Sequence, residues 1–162
     1  MEISFLMLGG NIGDRIFYLS QCSELLRSNV GRIVAFSSVY ESEPWGFNNS
    51  QWFLNQVVAL ETNLSPIILL EKTKEIEKKL GRVRSYEKYQ ARTMDIDILL
   101  YGDIVMNTTE LIIPHPRMSE RMFVLRPMVE IAPDLLHPVL NRTMEYLFKN
   151  CSDLMQVKLF DE

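Results

Sequence analysis

The sequence predicts an α+β fold, with a β-α-β-β-α-β core followed by a C-terminal extension. Four short apolar runs separated by glycine or polar turns have the character of strands, and two stretches have the pattern of helices. The length of 162 residues and the hydrophobic content of 47% suit one sizeable core. We therefore expect residues 1–162 to form a single domain.

The first half of the core is predicted to contain a strand, a helix and two further strands. Residues 3–8 form an apolar run that ends at Gly9, which indicates a buried strand entering a turn. A helical stretch opens at Asp14 and continues to about residue 29. Residues 33–40 and 53–62 are rich in β-forming residues and predict the next two strands.

The second half of the core is predicted to contain a helix and a strand. Ser65 and Pro66 supply an N-cap and a first-turn proline, the apolar residues that follow share one face, and Gly81 suits the C-terminal stop. Residues 94–101 then predict a strand. The resulting order, β-α-β-β-α-β, is the split arrangement of ferredoxin-like folds.

The C-terminal extension, residues 102–162, is predicted to consist of short elements. A hairpin is expected first, followed by an extended turn at residues 114–116. Short helices are expected near residues 121–131 and 143–150, and a last strand at residues 156–160.

Charge and composition narrow the class of function. The net charge of -4 argues against a general nucleic-acid binder, which displays a dominant basic surface. Residues 72–92 nevertheless carry eight basic and three acidic side chains, a local excess of +5 that favours a small polyanion as ligand. No apolar run approaches the ~18 residues of a membrane span, and the first residues lack a signal-peptide pattern. We expect a cytoplasmic protein that binds neither membrane nor nucleic acid.

Two acidic residues two positions apart suggest a metal site. On a strand, Asp95 and Asp97 share a face, and the apolar residues around them are typical of an internal strand. Two buried carboxylates would repel each other without a cation, and oxygen ligands favour Mg²⁺. The alternatives are two acids at a wet strand end or a pair with Arg92.

Three arginines bracket the loop that leads to these acids. Arg82 and Arg84 follow the second predicted helix, and Arg92 precedes Asp95 by three residues. Guanidinium groups bind phosphate oxygens in pairs, and metal plus arginine is typical of phosphoryl transfer. The neighbouring lysines fit a solvated helix face equally well, and residues 9–13 match neither the Walker nor the Rossmann glycine motif.

Several stretches in the chain resemble the signature of the 6-hydroxymethyl-7,8-dihydropterin pyrophosphokinase family. The central ones are Gly81-Arg82-Val83-Arg84, residues 91–102 with both aspartates, and Ile113-Pro114-His115-Pro116-Arg117. The similarity extends to residues 9–14, 42–46 with 53–56, and 123–138, and so covers essentially the whole chain.

The resemblance implies a ferredoxin-like α/β sandwich that transfers a pyrophosphoryl group from ATP to the pterin alcohol, releasing AMP, in folate biosynthesis. It implies that Asp95 and Asp97 bind two Mg²⁺ ions and that they are catalytic together with Arg82 and Arg92. The enzyme is expected to be a monomer with ATP and the pterin as its partners, and its association with other folate enzymes is left open.

The resemblance also assigns residues to each substrate. ATP would be contacted by Glu77, Arg82, Arg84, Arg92, Ile98, His115 and Arg121. The pterin would be bound by Ser42, Pro44, Trp45, Gly46, Phe53, Asn55 and Phe123. The two phenylalanines suit a flat heterocycle, and an amide supplies both a donor and an acceptor to its polar edge.

Other interpretations remain open for some of these residues and for the whole chain. Taken singly, Phe53 and Phe123 fit core packing, Asn55 fits a turn cap, and His115 between two prolines fits a fixed loop. The whole chain could instead be a ligand-binding regulatory module, an RNA-binding domain of similar topology, or another enzyme that acts on pterins. With only two histidines and two widely separated cysteines, a zinc site is not expected.

Overall fold

The computed structural model describes residues 1–44, 51–81 and 93–161. Its strands are β1 (Glu2–Gly10), β2 (Arg32–Phe36), β3 (Tyr40–Ser42), β4 (Phe53–Thr62), β5 (Asp95–Tyr101), β6 (Met106–Asn107), β7 (Ile112–Ile113) and β8 (Val157–Leu159). Its helices are α1 (Arg15–Asn29), α2 (Pro66–Lys79), α3 (Met122–Ile131) and α4 (Met144–Lys149), with a 3-10 turn at Met118–Glu120.

The main sheet has the order β5-β1-β4, and both β2 and β3 pair with β4 beyond that. Strand β8 extends the sheet on β3, and all of these pairs are antiparallel. Two helices connect the core strands in the predicted order, so the ferredoxin-like α+β fold is confirmed. Strands β6 and β7 form the hairpin expected in the extension.

The β-rich stretch predicted at residues 33–40 forms two short strands instead of one. Ser37 lies in the gap, where its N–H donates to the carbonyl of Val57 at 2.9 Å. Its hydroxyl accepts from the Val57 N–H at 2.9 Å, so a side chain takes the place of a backbone carbonyl in the ladder. This local substitution interrupts β2 and lets β3 pair with β4 separately.

Helices α1 and α2 cover the first face of the sheet. Asp14 caps α1 by accepting from the Phe17 N–H, and Ser65 caps α2 with Pro66 in its first turn. Buried apolar side chains from both helices and the sheet form the first core, among them Leu6, Leu8, Leu26, Leu60, Leu69 and Ile76. The Cβ-free Gly81 ends this part of the chain at φ +87°.

The C-terminal extension covers the second face of the sheet. Helices α3 and α4 pack there against alternate residues of the same strands, because successive strand side chains point to opposite faces. The second core includes Met7, Val57, Leu99, Leu125, Met128 and Met144. The sheet is therefore enclosed between two helical layers, and the end of its second face beside the start of α3 is left to form a cavity.

Strand β5 was expected to be internal, and this prediction is wrong. Among the described strands it pairs only with β1, so it lies at the edge of the sheet. The residues of β5 are nevertheless mostly apolar, because both faces of this strand are buried. Its outer edge is also covered by other parts of the chain. The carboxylate of Glu77, from α2, accepts from the Ile96 N–H at 2.8 Å, and the His115 N–H donates to Leu99 at 2.9 Å.

Candidate active site

A cavity of about 440 Å³ opens at the end of the second sheet face. Strands β1, β4 and β5 form its floor, and the start of α3 and the C-terminal segment form its walls. Its lining residues are Met7, Gly9, Ser42, Glu43, Phe53, Asn55, Asp95, Asp97, His115, Arg117, Glu120, Arg121, Phe123, Ser152, Asp153 and Met155.

The two aspartates lie side by side on the floor of this cavity. Asp95 is opposite Gly9 and Asp97 is opposite Met7 on β1, so both carboxylates point to the second face. Both residues are half-buried and line the cavity. Among the described residues no group of three or more His, Cys, Asp or Glu is arranged to hold a metal. A divalent ion here would need further oxygen ligands, such as substrate phosphates.

Asn55 and Ser42 form a polar pair next to the acids. Asn55 is directly opposite Gly9 across β1 and β4, and its side-chain amide donates to the Ser42 hydroxyl at 2.7 Å. A Cβ placed on Gly9 would lie 2.9 Å from the side-chain carbonyl oxygen of Asn55, which is too close for a carbon atom in van der Waals contact. Glycine at this position therefore leaves room for the amide of Asn55 to face the cavity.

Phe53 and Phe123 bring aromatic rings to the same cavity from different elements. Phe53 begins β4, and Phe123 lies in the first turn of α3. The guanidinium carbon of Arg121 lies 5.5 Å from the centre of the Phe123 ring, a cation–π distance. The wall at the start of α3 thus presents a cation and an aromatic ring next to each other.

His115 is held in a defined protonation state. The Arg117 N–H donates to its Nδ1 at 3.2 Å, so the neutral ring carries its proton on Nε2. Burial, with the nearby charges of Arg121 and Arg117, lowers the pKa of His115 to about 4, against an opposing effect of Asp95. The imidazole is neutral at pH 7 and can donate one hydrogen bond from Nε2.

The structure brings eight predicted residues to the cavity: Ser42, Phe53, Asn55, Asp95, Asp97, His115, Arg121 and Phe123. Pro44 is described but is not among the lining residues. Glu77 is only 4% exposed and bonds to β5, and the side chain of Ile98 packs in the first core. Predictions for Trp45, Gly46, Arg82, Arg84 and Arg92 fall outside the described residues.

Several lining residues were not predicted from the sequence. Met7 and Gly9 lie on β1 directly opposite Asp97 and Asp95. The pairing of β1 with β5 would have been enough to place them beside the acids. Arg117 lies in the motif of residues 113–117, but the family resemblance assigns it no role. The C-terminal residues Ser152, Asp153 and Met155 belong to no motif, and only the folded chain brings them to the cavity.

The fold and the cavity define a ferredoxin-like α+β protein with an acidic pair, aromatic rings and basic side chains in one cleft. A family model described as 7,8-dihydro-6-hydroxymethylpterin-pyrophosphokinase matches residues 5–133. The chain belongs to this family, a family of diphosphotransferases.

Individual relatives agree with this assignment. The chain is 45% identical over 131 residues to the 2-amino-4-hydroxy-6-hydroxymethyldihydropteridine pyrophosphokinase of Bacillus subtilis, covering 80% of this chain and 78% of that protein. It is 38% identical over 152 residues to the folic acid synthesis protein fol1 of Pneumocystis carinii, covering 94% of this chain and 20% of that longer protein.

A solved structure supports the fold. The crystal structure of wild-type Plasmodium falciparum HPPK-DHPS matches with a TM-score of 0.76 at 18% identity, covering 91% of this chain and 44% of that one. The present chain thus spans less than half of that protein, and the likeness concerns the fold alone. None of the helices in the described parts of the chain has the length and apolar character that crossing a membrane requires.

Proposed function

We propose that this chain transfers a pyrophosphoryl group from ATP to 6-hydroxymethyl-7,8-dihydropterin, releasing AMP, as a step of folate biosynthesis. One observation carries the proposal: in a chain of this family, the acidic pair, the Asn55 amide and two aromatic rings line one cavity. Family membership favours an enzyme over the regulatory module and the RNA-binding domain.

The pterin is proposed to bind at the side of the cavity formed by β4 and α3. Phe53 and Phe123 offer apolar faces to a flat heterocycle. The amide of Asn55, oriented by its bond to Ser42, offers a carbonyl oxygen to a ring N–H donor. Pro44, Trp45 and Gly46 are proposed to complete this side through the segment that follows β3.

Two Mg²⁺ ions are proposed to bind at Asp95 and Asp97. The fit rests on chemistry and position: both groups are hard oxygen donors, they share one face, and both are half-buried at the cavity floor. Bound Mg²⁺ would neutralise phosphate charge and make the β-phosphorus more electrophilic. Asp95 and Asp97 would each supply a carboxylate, and phosphate oxygens and water would add further ligands.

ATP is proposed to lie on the opposite side of the acids from the pterin. The Nε2–H of neutral His115 can donate to a phosphate oxygen, and Arg121 adds a positive charge beside it. Arg82, Arg84 and Arg92 are proposed to bind the triphosphate. Glu77 and the backbone of Ile98 are proposed to border the nucleoside, because the side chain of Ile98 is packed in the core.

The proposed reaction is a single displacement at phosphorus. The hydroxymethyl oxygen of the pterin forms a bond to the β-phosphorus, and the bond from that phosphorus to the oxygen bridging the α-phosphate breaks. AMP leaves with the electron pair, and the alcohol proton passes to solvent. Positioning and charge neutralisation supply the catalysis, so no side chain is assigned as a general base.

The proposal extends to the state in which the enzyme works. We infer a monomer in the cytoplasm. Its acidic net charge argues against nucleic-acid binding, and no apolar run is long enough to span a membrane. Sedimentation of the purified protein at several concentrations tests the monomer. A mass that rises with concentration would contradict it.

The activity is tested by incubating the protein with ATP, Mg²⁺ and the pterin and measuring AMP by chromatography. We expect AMP to form only when all three are present. Asp97→Asn removes one charge at nearly constant shape and should lower kcat by about 100-fold or more. Asp103→Asn is the matched control, because Asp103 is exposed just beyond β5 and does not line the cavity. Wild-type protein that forms no AMP would contradict the proposal.

A further inference from the structure

Asp153, in the segment between α4 and β8, binds two backbone N–H groups with its carboxylate. Oδ2 accepts from the Met122 N–H at 2.9 Å, across 31 residues of chain, and Oδ1 accepts from the Met155 N–H at 3.0 Å. The residue also lines the cavity. It therefore ties the C-terminal segment to the first residue of α3 at the cavity wall.

Helix α3 depends on this remote carboxylate for its N-terminal cap. The other three α-helices in the described parts of the chain are capped locally, by Asp14, Ser65 and Thr143. The residue at the cap position of α3 is Arg121, which makes no side-chain cap hydrogen bond. A carboxylate at this end satisfies a free N–H and suits the positive end of the helix dipole.

The peptide that Asp153 holds lies between two cavity residues. Arg121 precedes Met122 and Phe123 follows it, and both line the cavity. One is proposed to contact ATP and the other the pterin. A small displacement of this peptide would therefore move a group of each substrate site, and such shifts of about 1 Å reduce productive binding.

We propose that Asp153 is a positioning residue, which acts through Arg121 and Phe123 to keep the ATP and pterin sites in one fixed arrangement. The inference rests on the proposed function. It also gives the C-terminal segment a role in binding, although that segment lies beyond residues 5–133 that match the family model.

The test compares two cap deletions of the same kind. Asp153→Ala removes the cap of α3, whereas Thr143→Ala removes the cap of α4, none of whose residues lines the cavity. Dissociation constants are measured for the pterin and for a non-hydrolysable ATP analogue with Mg²⁺. We expect about a tenfold rise for both ligands in Asp153→Ala. Thr143→Ala should bind both as wild type does, with a similar loss in the midpoint of thermal unfolding.

A conservative variant separates positioning from folding. Asp153→Asn keeps one acceptor oxygen for Met122 but loses the charge and the second acceptor, so its affinities should lie between those of wild type and Asp153→Ala. If Asp153→Ala does not fold, weaker binding by folded Asp153→Asn supports the proposal and wild-type affinity overturns it. Equal weakening in Thr143→Ala would also overturn it.

The outcome for the wild-type protein separates this inference from the proposed function. Wild type that binds neither ligand would contradict the proposed function itself. Wild type that binds both, together with an Asp153→Ala variant of unchanged affinity, would contradict only the role of Asp153.

Discussion

The imidazole of His115 is much less basic in the folded protein than in the unfolded chain. Burial and two neighbouring arginines lower its pKa from 6.5 to about 4. Between these two pH values the unfolded chain binds more protons, so the free energy of unfolding should fall as the pH drops from 6.5 towards 4. Above pH 6.5 this contribution is constant. We expect the NMR titration of the His115 ring in metal-free protein to have its midpoint near pH 4.

A substitution at His115 checks the same effect in the free energy of unfolding. His115→Asn keeps an acceptor close to the position of Nδ1 but does not titrate, so it should flatten the pH dependence between pH 4 and 6.5. The pH dependence of unfolding in His137→Asn is the comparison. Burial also lowers the pKa of His137, so this variant should change the pH dependence in the same direction. An unchanged pH profile in His115→Asn, or a ring midpoint near 6.5, would contradict the predicted shift.

Gly9 is expected to contribute to pterin binding although it has no side chain. In Gly9→Ala the new Cβ would lie 2.9 Å from the side-chain carbonyl oxygen of Asn55, so that amide would have to shift. Overpacking of this kind costs about 1–3 kcal/mol. Its relief displaces the Asn55 amide from the proposed pterin site, so the dissociation constant of the pterin should rise about tenfold. Titration of the variant with the pterin measures this, and thermal unfolding reports any folding defect. Wild-type affinity would show that Asn55 does not need this space.

The elements that the sequence predicted well are those whose signals are local. Helix α2 begins after its predicted cap at Ser65, and β4 spans the predicted residues 53–62, because caps, turns and apolar periodicity are encoded within a few neighbours. The break at Ser37 was not predicted, because it depends on a hydrogen bond to a strand 20 residues away.

The cavity could be predicted only in part for the same reason. Its acidic floor follows from the spacing of Asp95 and Asp97 on one strand, a pattern readable in the sequence. The edge position of β5 was missed because covered faces give an edge strand the composition of an internal one. The contribution of Asp153 arises from a contact between distant segments, which no local pattern encodes.

Helix α2 is expected to stabilise the edge of the sheet through Glu77. Its buried carboxylate accepts from the N–H of Ile96, the residue between the two aspartates. Glu77→Ala would leave a buried N–H without that acceptor, so the free energy of unfolding should fall by about 1–3 kcal/mol. Urea unfolding measures the change. Glu75→Ala on the same helix is the control, because Glu75 forms an exposed pair with Lys72 and should have little effect.

Glu77→Gln distinguishes the hydrogen bond from the charge. The amide keeps an acceptor oxygen for Ile96, so most of the stability should be retained if the bond to β5 is what matters. If Glu77→Gln is as unstable as Glu77→Ala, the negative charge of Glu77 contributes most of the stability, and the hydrogen bond to Ile96 contributes little.

At the scale of the whole molecule, the cavity exists because the sheet and the C-terminal layer on its second face enclose it together. Gly9, Asn55 and Asp95 come from the sheet, while Phe123 and Asp153 come from the layer on its second face. Neither set forms the cavity alone. The arrangement therefore requires that the C-terminal layer, built from α3 and α4, stay packed against the sheet under working conditions.

The prediction that residues 1–162 form a single domain follows from the sheet that the two cores share and can be tested with one substitution in each core. Leu69→Ala in the first core and Leu125→Ala in the second remove fully buried side chains and should each cost about 2–5 kcal/mol. Both should shift one common urea transition, coincident by far-UV circular dichroism and tryptophan fluorescence. Leu154→Ala is the control, since that side chain is 97% exposed. A separate early transition in Leu125→Ala would show that the C-terminal layer unfolds by itself and that the chain is not one cooperative unit.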